Sequence, residues 1–193
     1  FADAAKKYSA DKSVINNDGK LGYFTAFMMV YPFETAAYNT EAGTISHPVK
    51  TKYGYHIIQV NDRRKAVGEV RVAHIMFKTG KGASQKKLDE AKKKILQVAD
   101  LLEKGEEFAD VAERYSEDRS TAVKGGNLPP FGVGKMVPEF ERVAFSLTEV
   151  GEMSEVFKTE YGWHIVSLLE RNDVAVFEEI KEELMQKIAR DSR

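Results

Sequence analysis

The sequence predicts two α+β domains in tandem, cut from one repeated unit. Three observations carry that prediction. Residues 1–13 return as residues 108–120 at a gapless offset of 107: Phe1-Ala2-Asp3 becomes Phe108-Ala109-Asp110, and Tyr8-Ser9 with Asp11 becomes Tyr115-Ser116 with Asp118. The match runs on through Gly19/Gly126, Leu21/Leu128, Phe24/Phe131, Met29/Met136 and Phe33/Phe140. After one inserted residue the offset is 108, and residues 50–58 match residues 158–166. The period is too long for a solenoid repeat and has the size of a small domain. Within the unit, helical apolar spacing gives way to short β-rich segments, an order that places helices on an antiparallel sheet.

The complete copy, residues 70–171, shows each element in turn. Val70–Phe77 is β-rich and alternates as a half-buried strand does. Residues 78–83 read as a loop, and Ser84 as a helix N-cap. Leu88, Ala91, Ile95, Val98 and Leu102 keep helical spacing, and Gly105 sits where a helix-terminating glycine belongs. Phe108, Val111, Ala112 and Tyr115 mark a second helix. Gly125-Gly126 makes a turn into a short strand at Asn127-Leu128. Pro138 opens a third helix carrying Phe140 and Ala144-Phe145. Two strands follow, near residues 152–158 and 163–170. The predicted order is β-α-α-β-α-β-β.

The first copy, residues 1–62, begins at the second helix. It lacks the first strand and the long helix, so an unpaired sheet edge and an open core are expected, and residues upstream of Phe1 are expected in the full protein. Residues 63–69 form a linker. In residues 172–193, Val176, Phe177, Ile180, Leu184 and Ile188 mark an amphipathic C-terminal helix.

Composition narrows the function. The chain has 193 residues, 42% hydrophobic and 31% charged, with net charge −1. Near-neutrality gives no electrostatic case for nucleic acid or an anionic membrane. No apolar run reaches membrane-spanning length. The absence of cysteine excludes disulfides, thiolate catalysis and Cys-type zinc sites.

Four ordered segments of the second copy resemble the parvulin family of peptidyl-prolyl cis–trans isomerases. They are Val72-Ala73-His74-Ile75; Tyr115-Ser116-Glu117-Asp118 followed by Gly125-Gly126-Asn127-Leu128; residues 134–141, Gly-Lys-Met-Val-Pro-Glu-Phe-Glu; and Thr159-Glu160-Tyr161-Gly162-Trp163-His164-Ile165. The resemblance implies tandem parvulin-like domains, each a four-stranded antiparallel sheet wrapped by helices, the first incomplete at its N-terminus. Tandem parvulin domains are similar to SurA-type periplasmic chaperones. This implies an extracytoplasmic place in a bacterium. It also implies unfolded or proline-containing polypeptide clients, outer-membrane proteins being one class, and neither cofactor nor metal.

Prolyl isomerisation breaks no σ bond. Its barrier is amide resonance, roughly 18–20 kcal/mol, so a catalyst must grip the proline, dehydrate the amide and favour the twisted geometry. The resemblance assigns the proline pocket to Leu128, Met136 and Phe140, with Phe131 and Trp163 beside them. From spacing alone these residues read as ordinary core. His74 and His164 correspond to the family's paired histidines on neighbouring strands, joined by a hydrogen bond that orders the site floor; a lone strand histidine otherwise reads as a satisfied core residue. Asp118 becomes an electrostatic carboxylate near the reacting carbonyl, where pattern alone reads a turn residue. Thr159 and Tyr161 are placed to hydrogen-bond the histidines or the substrate.

The first copy keeps Asp11, Leu21, Met29, Phe33, Thr51, Tyr53 and His56, but its first-strand histidine is not in the chain. The second copy is therefore the expected isomerase. Two other functions suit the same residues. One is a catalytically silent module whose groove holds unfolded segments. The other is a two-His, one-carboxylate metal site from His74, Asp118 and His164.

Overall fold

The computed structural model describes residues 1–80 and 82–191. Lys81 of the expected 78–83 loop and residues 192–193 of the expected C-terminal helix lie outside the described residues. The chain divides into two compact units: Phe1–Ala66 with the stretch from Ala175 onward, and Val67–Val174.

In the first unit, α1 (Ala2–Tyr8), α2 (Val14–Asn17) and α3 (Tyr31–Asn39) precede a hairpin of β1 (Val49–Thr51) and β2 (Gly54–His56). The second unit runs β3 (Glu69–Lys78), α4 (Gln85–Glu103), α5 (Phe108–Tyr115), α6 (Arg119–Ala122), α7 (Pro138–Ser146), β4 (Phe157–Lys158) and β5 (Gly162–Asn172). Then comes α8 (Phe177–Arg190), whose Phe177, Met185 and Ile188 are exposed.

The three helices expected in the second unit form for the reasons read from their ends. Ser84 caps α4 by accepting from the Lys87 N–H, and Ala91, Ile95, Val98 and Leu102 bury one helical face. Gly105, with φ of 91°, takes the left-handed turn past the end of α4. Pro138 stands in the first turn of α7, where its missing N–H costs nothing. The short α6 was not legible from periodicity: four residues carry no period.

The second-unit sheet has three antiparallel strands in the order β3-β5-β4, not the expected four. The segment around Asn127-Leu128 does run along the free edge of β3. It bonds there as isolated bridges, Ala73 with Asn127 and Val70 with Phe131, rather than as a strand. Pro129 and Pro130 explain this: neither has an N–H to give, so the ladder is interrupted between Leu128 and Phe131. The first unit departs further: among the described residues it holds the two-stranded β1-β2 sheet and no strand at Leu21. Within this unit β2 pairs with β1 alone, and Ile57 is 58% exposed where its counterpart Ile165 is 2% exposed.

Alternation along β3 and β5 separates two cores. Val70, Val72, Val166 and Leu168 face Phe131, Phe140, Ala144 and Phe145. Ile75, Phe77 and Ile165 face α4 and α5 through Ile95, Val98, Leu102 and Val111.

A symmetry beyond the matched motifs ties each unit together. Arg171 donates through Nη1 to the carbonyls of Phe145 (3.3 Å) and Leu147 (2.7 Å), at the end of α7. Arg63, at the repeat-equivalent position, donates through Nη2 to the carbonyls of Tyr38 (2.7 Å) and Thr40 (2.9 Å), at the end of α3. Each guanidinium satisfies terminal helix carbonyls that have no partner inside the helix.

Candidate functional site

The first core's face of the sheet carries the chemistry. On this face His74 of β3 stands opposite Val166, and His164 of β5 stands opposite Met76. The two histidines are therefore diagonal neighbours across adjacent strands. Their rings lie 6.1 Å apart between centroids and within 17° of parallel. Both are buried, His74 at 6% and His164 at 3% exposure. Gly126 makes this strand position possible, since its carbonyl accepts from the His74 N–H at 2.8 Å. A Cβ there would sit 2.4 Å from the His74 carbonyl oxygen, so only glycine allows the approach.

The expected histidine–histidine hydrogen bond is not formed. Each ring is anchored from its outer side instead. His74 Nε2 lies 2.9 Å from Asp118 Oδ2 and 3.0 Å from Thr121 Oγ1. His164 Nε2 lies 2.8 Å from Thr159 Oγ1, which also accepts the Tyr161 N–H at 3.1 Å. Among the described residues neither Nδ1 has a partner. A carboxylate can only accept, which puts the His74 proton on Nε2. The inner nitrogen of His74 is thus an acceptor. The Thr159 hydroxyl can donate to His164 Nε2 or accept from it, so this contact fits either His164 tautomer.

Electrostatics follow from these surroundings. Burial, and then the neighbouring His74, lower the His164 pKa from 6.5 to about 4. Burial also pushes His74 below its ordinary value, with Asp118 pulling the other way. For Asp118 burial opposes the charge. Hydrogen bonds from Ser120, Thr121 and His74 outweigh it and hold the carboxyl at about 2. At neutral pH the site is two neutral imidazoles beside one carboxylate.

Aromatic rings close the floor. Phe140 meets His74 and His164 edge-on at 5.9 and 5.7 Å. Phe157 of β4 stacks on His164 at 5.4 Å. Phe140 is only 5% exposed, so it is a core residue as well as a floor. Phe131 packs on it at 6.1 Å. Leu128 and Met136 pack partly buried against the same cluster.

Two expected site residues stand elsewhere. Trp163 lies on the opposite face of the sheet, packed on the second core with its Nε1–H donating to the Leu88 carbonyl of α4. Strand alternation forces this, because His164 next to it faces the site. Tyr161 serves through its backbone N–H; its side chain is 57% exposed and bonds neither histidine. Three residues to which the motifs assign no site role do take part: Thr121, which donates to Asp118 Oδ2 at 2.7 Å, Phe157, and Ser116, whose Oγ accepts from the Asp118 N–H at 3.3 Å. The repeat signals Ser116, since Ser9 accepts from the Asp11 N–H in the same way. Thr121 and Phe157 align with Val14 and Val49, so the repeat is silent on them. Among the described residues no cluster of three His, Asp or Glu side chains has metal-holding geometry.

The first unit rebuilds part of this arrangement. Thr51 Oγ1 lies 2.8 Å from His56 Nε2, and Phe33 meets His56 edge-on at 5.4 Å. Met29 is half-buried, while Leu21 is 48% exposed. Asp11 accepts from the Ser13 N–H at 2.8 Å.

No helix among the described residues is long and apolar enough to cross a membrane. Two family models match the chain, both described as a PPIC-type PPIASE domain, one over residues 74–170 and the other over residues 1–64. Chaperone SurA of Nitrosococcus oceani is 31% identical over 184 residues, covering 93% of this chain and 42% of that protein. Chaperone SurA of Pseudomonas fluorescens is 30% identical over 197 residues, 100% of this chain and 45% of that protein. The chain therefore spans less than half the length of these curated relatives. The crystal structure of the peptidylprolyl isomerase PrsA from Bacillus cereus, 37% identical, covers 65% of this chain and 43% of that one at a TM-score of 0.47. With matching domains over residues 1–64 and 74–170, the chain belongs to the PPIC-type, or parvulin, peptidyl-prolyl isomerase family.

Proposed function

We propose that residues 70–171 catalyse cis–trans isomerisation of X-Pro bonds in exported polypeptides, without cofactor or covalent intermediate. The observation that carries this reading is the pairing of His74 and His164 beneath Phe140, each ring anchored from outside by Asp118 or Thr159. A twisted amide is less conjugated, and its carbonyl is less stabilised by water, than the planar one. A dry apolar floor of Leu128, Met136 and Phe140 favours that geometry over the planar amide in water. Both imidazoles being neutral, neither competes as a charged donor, and the single carboxylate of Asp118 acts through its field on the carbonyl dipole. No bond to the substrate forms. Phe131 supports Phe140 from below.

The second reading is a holding module whose groove binds unfolded segments without turnover. The relatives named chaperones favour it. They also support an extracytoplasmic place in a bacterium, with unfolded or outer-membrane clients. The two readings separate in one measurement. Exchange spectroscopy on a short Ala-Pro peptide shows accelerated cis–trans exchange with the intact chain under the first reading. The uncatalysed rate, with binding retained, supports the second.

A further inference from the structure

We propose that Glu141 is a positioning residue that sets the Met136 wall of the proline pocket. The inference rests on the isomerase reading of that pocket. Four residues, Gly134, Lys135, Met136 and Val137, form the turn that enters α7; the Glu141 carboxylate ties its first residue, and the first helical bond, which any residue at 141 makes, ties its last. Its side-chain Oε1 accepts from the Gly134 N–H, and its backbone N–H donates to the Val137 carbonyl at 3.0 Å. Met136 lies between those ties and packs on the Phe140 cluster. The Glu141 side chain is buried, at 8% residue exposure, an unusual place for a carboxylate unless it has a fixed task.

The first unit supplies an independent observation. Glu34, at the repeat-equivalent position and 5% exposed, accepts from the Phe27 N–H at 2.6 Å and donates its own N–H to the Val30 carbonyl at 3.0 Å. Met29 lies between those ties as Met136 does. Gly134 has φ of 79° and Phe27 has φ of 69°. The left-handed turn thus persists where phenylalanine, a residue that disfavours it, replaces glycine. Glycine's freedom is therefore not what keeps the turn in both copies. The shared constraint is the buried carboxylate gripping the left-handed amide. A turn pinned at both ends leaves the methionine between them few placements, and the width of the pocket above Phe140 follows from that placement.

The test compares Glu141→Leu, which fills the space without an acceptor, with Glu141→Gln, which keeps one. Both are made in the full chain and assayed on a series of X-Pro peptides. Glu141→Leu is expected to raise KM about tenfold with kcat within about threefold, and Glu141→Gln to stay within about threefold in both. Adding Met136→Ala to Glu141→Leu should then cost nothing further, because the two act through one wall. A folded Glu141→Leu chain with unchanged KM, or a Met136→Ala effect that adds in full, overturns the role. Amide exchange in the unsubstituted chain needs no variant. The Gly134 amide should exchange at least about a hundredfold more slowly than a free turn amide, and exchange at the free rate overturns the proposal even if Glu141→Leu fails to fold. No turnover by the unsubstituted chain overturns the isomerase reading. Turnover with an unchanged KM in Glu141→Leu overturns the positioning role and leaves the isomerase reading standing.

Discussion

His74 Nε2 and Asp118 Oδ2 meet at 2.9 Å, joining β3 to the residue that opens α6. The contact crosses 44 positions of sequence. It fixes the His74 tautomer, and it pins the α5–α6 turn against β3 together with the Glu117 N–H, which donates to the Met76 carbonyl at 2.8 Å. A carboxylate held at about 2 stays ionised throughout the physiological range, so the His74 ring keeps one orientation there.

Acid should destabilise the second unit in two stages. The folded His164 pKa is about 4 against an ordinary 6.5, so between those values the unfolded chain binds more protons. Stability falls as pH drops through that window, on the order of a few kcal/mol in all. Asp118, at about 2 against 3.8, has the same sign, and its contribution is lost below about 3.8. Trp163 is the only tryptophan and reports this unit, so urea melts followed by its fluorescence should show a lower midpoint at about pH 5 than at about pH 7.5. His164→Asn should reduce that difference, leaving the part of the same sign that buried His74 carries; an equal slope in the variant would mean that His164 carries none of it.

Thr159→Val should remove the partner of both His164 Nε2 and the Tyr161 N–H without changing shape. A lost partner for a buried polar group costs about 1–3 kcal/mol. Denaturation by urea is expected to show a loss of that size together with reduced turnover. Full activity at unchanged stability would show that the ring needs no anchor.

Phe140→Ala should cost about 3–5 kcal/mol in stability, because the ring is core as well as floor. Turnover should fall further than the folded fraction does. Phe140→Leu, which keeps most of the volume, separates the effects: stability largely recovered with activity still low is the expected pattern. Recovery of both would make the aromatic face irrelevant.

Arg171→Lys should weaken the end of α7 by roughly 1 kcal/mol, since the shorter lysine side chain does not hold a donor where the guanidinium sets Nη1 between two carbonyls. Arg63→Lys should do the same to α3. Amide exchange near residues 145–147 and 38–40 reads each loss in its own unit, and no change in either would reduce the arginine symmetry to coincidence.

Client capture should depend on apolar contact and vary little with salt, because net charge is close to zero. The full chain should bind a long unfolded client more tightly than residues 67–174 alone, through the effective concentration that linkage provides. Equal affinities would leave the first unit without a part in capture.

The repeat and the helix ends were legible in sequence. Identical residues at a fixed offset are a direct record of duplication. Ser84, Gly105 and Pro138 act within one helical turn of themselves, so neighbouring residues suffice to read them. Strand alternation brings His74 and His164 to one face and the phase of α7 turns Phe140 toward them, while Asp118, Leu128, Met136 and Thr159 arrive on connecting segments. The same alternation sends Trp163 to the other face, a consequence of period two that a motif read as a block conceals. Pro129-Pro130 stood in plain view, yet that they break the fourth strand depends on knowing which edge the segment meets. Tertiary structure alone decided which nitrogens of the paired histidines are anchored, that their rings do not bond each other, and that Thr121 and Phe157 join the site. Those facts depend on contacts between segments far apart in sequence, and separation in space is a quantity that local pattern does not contain.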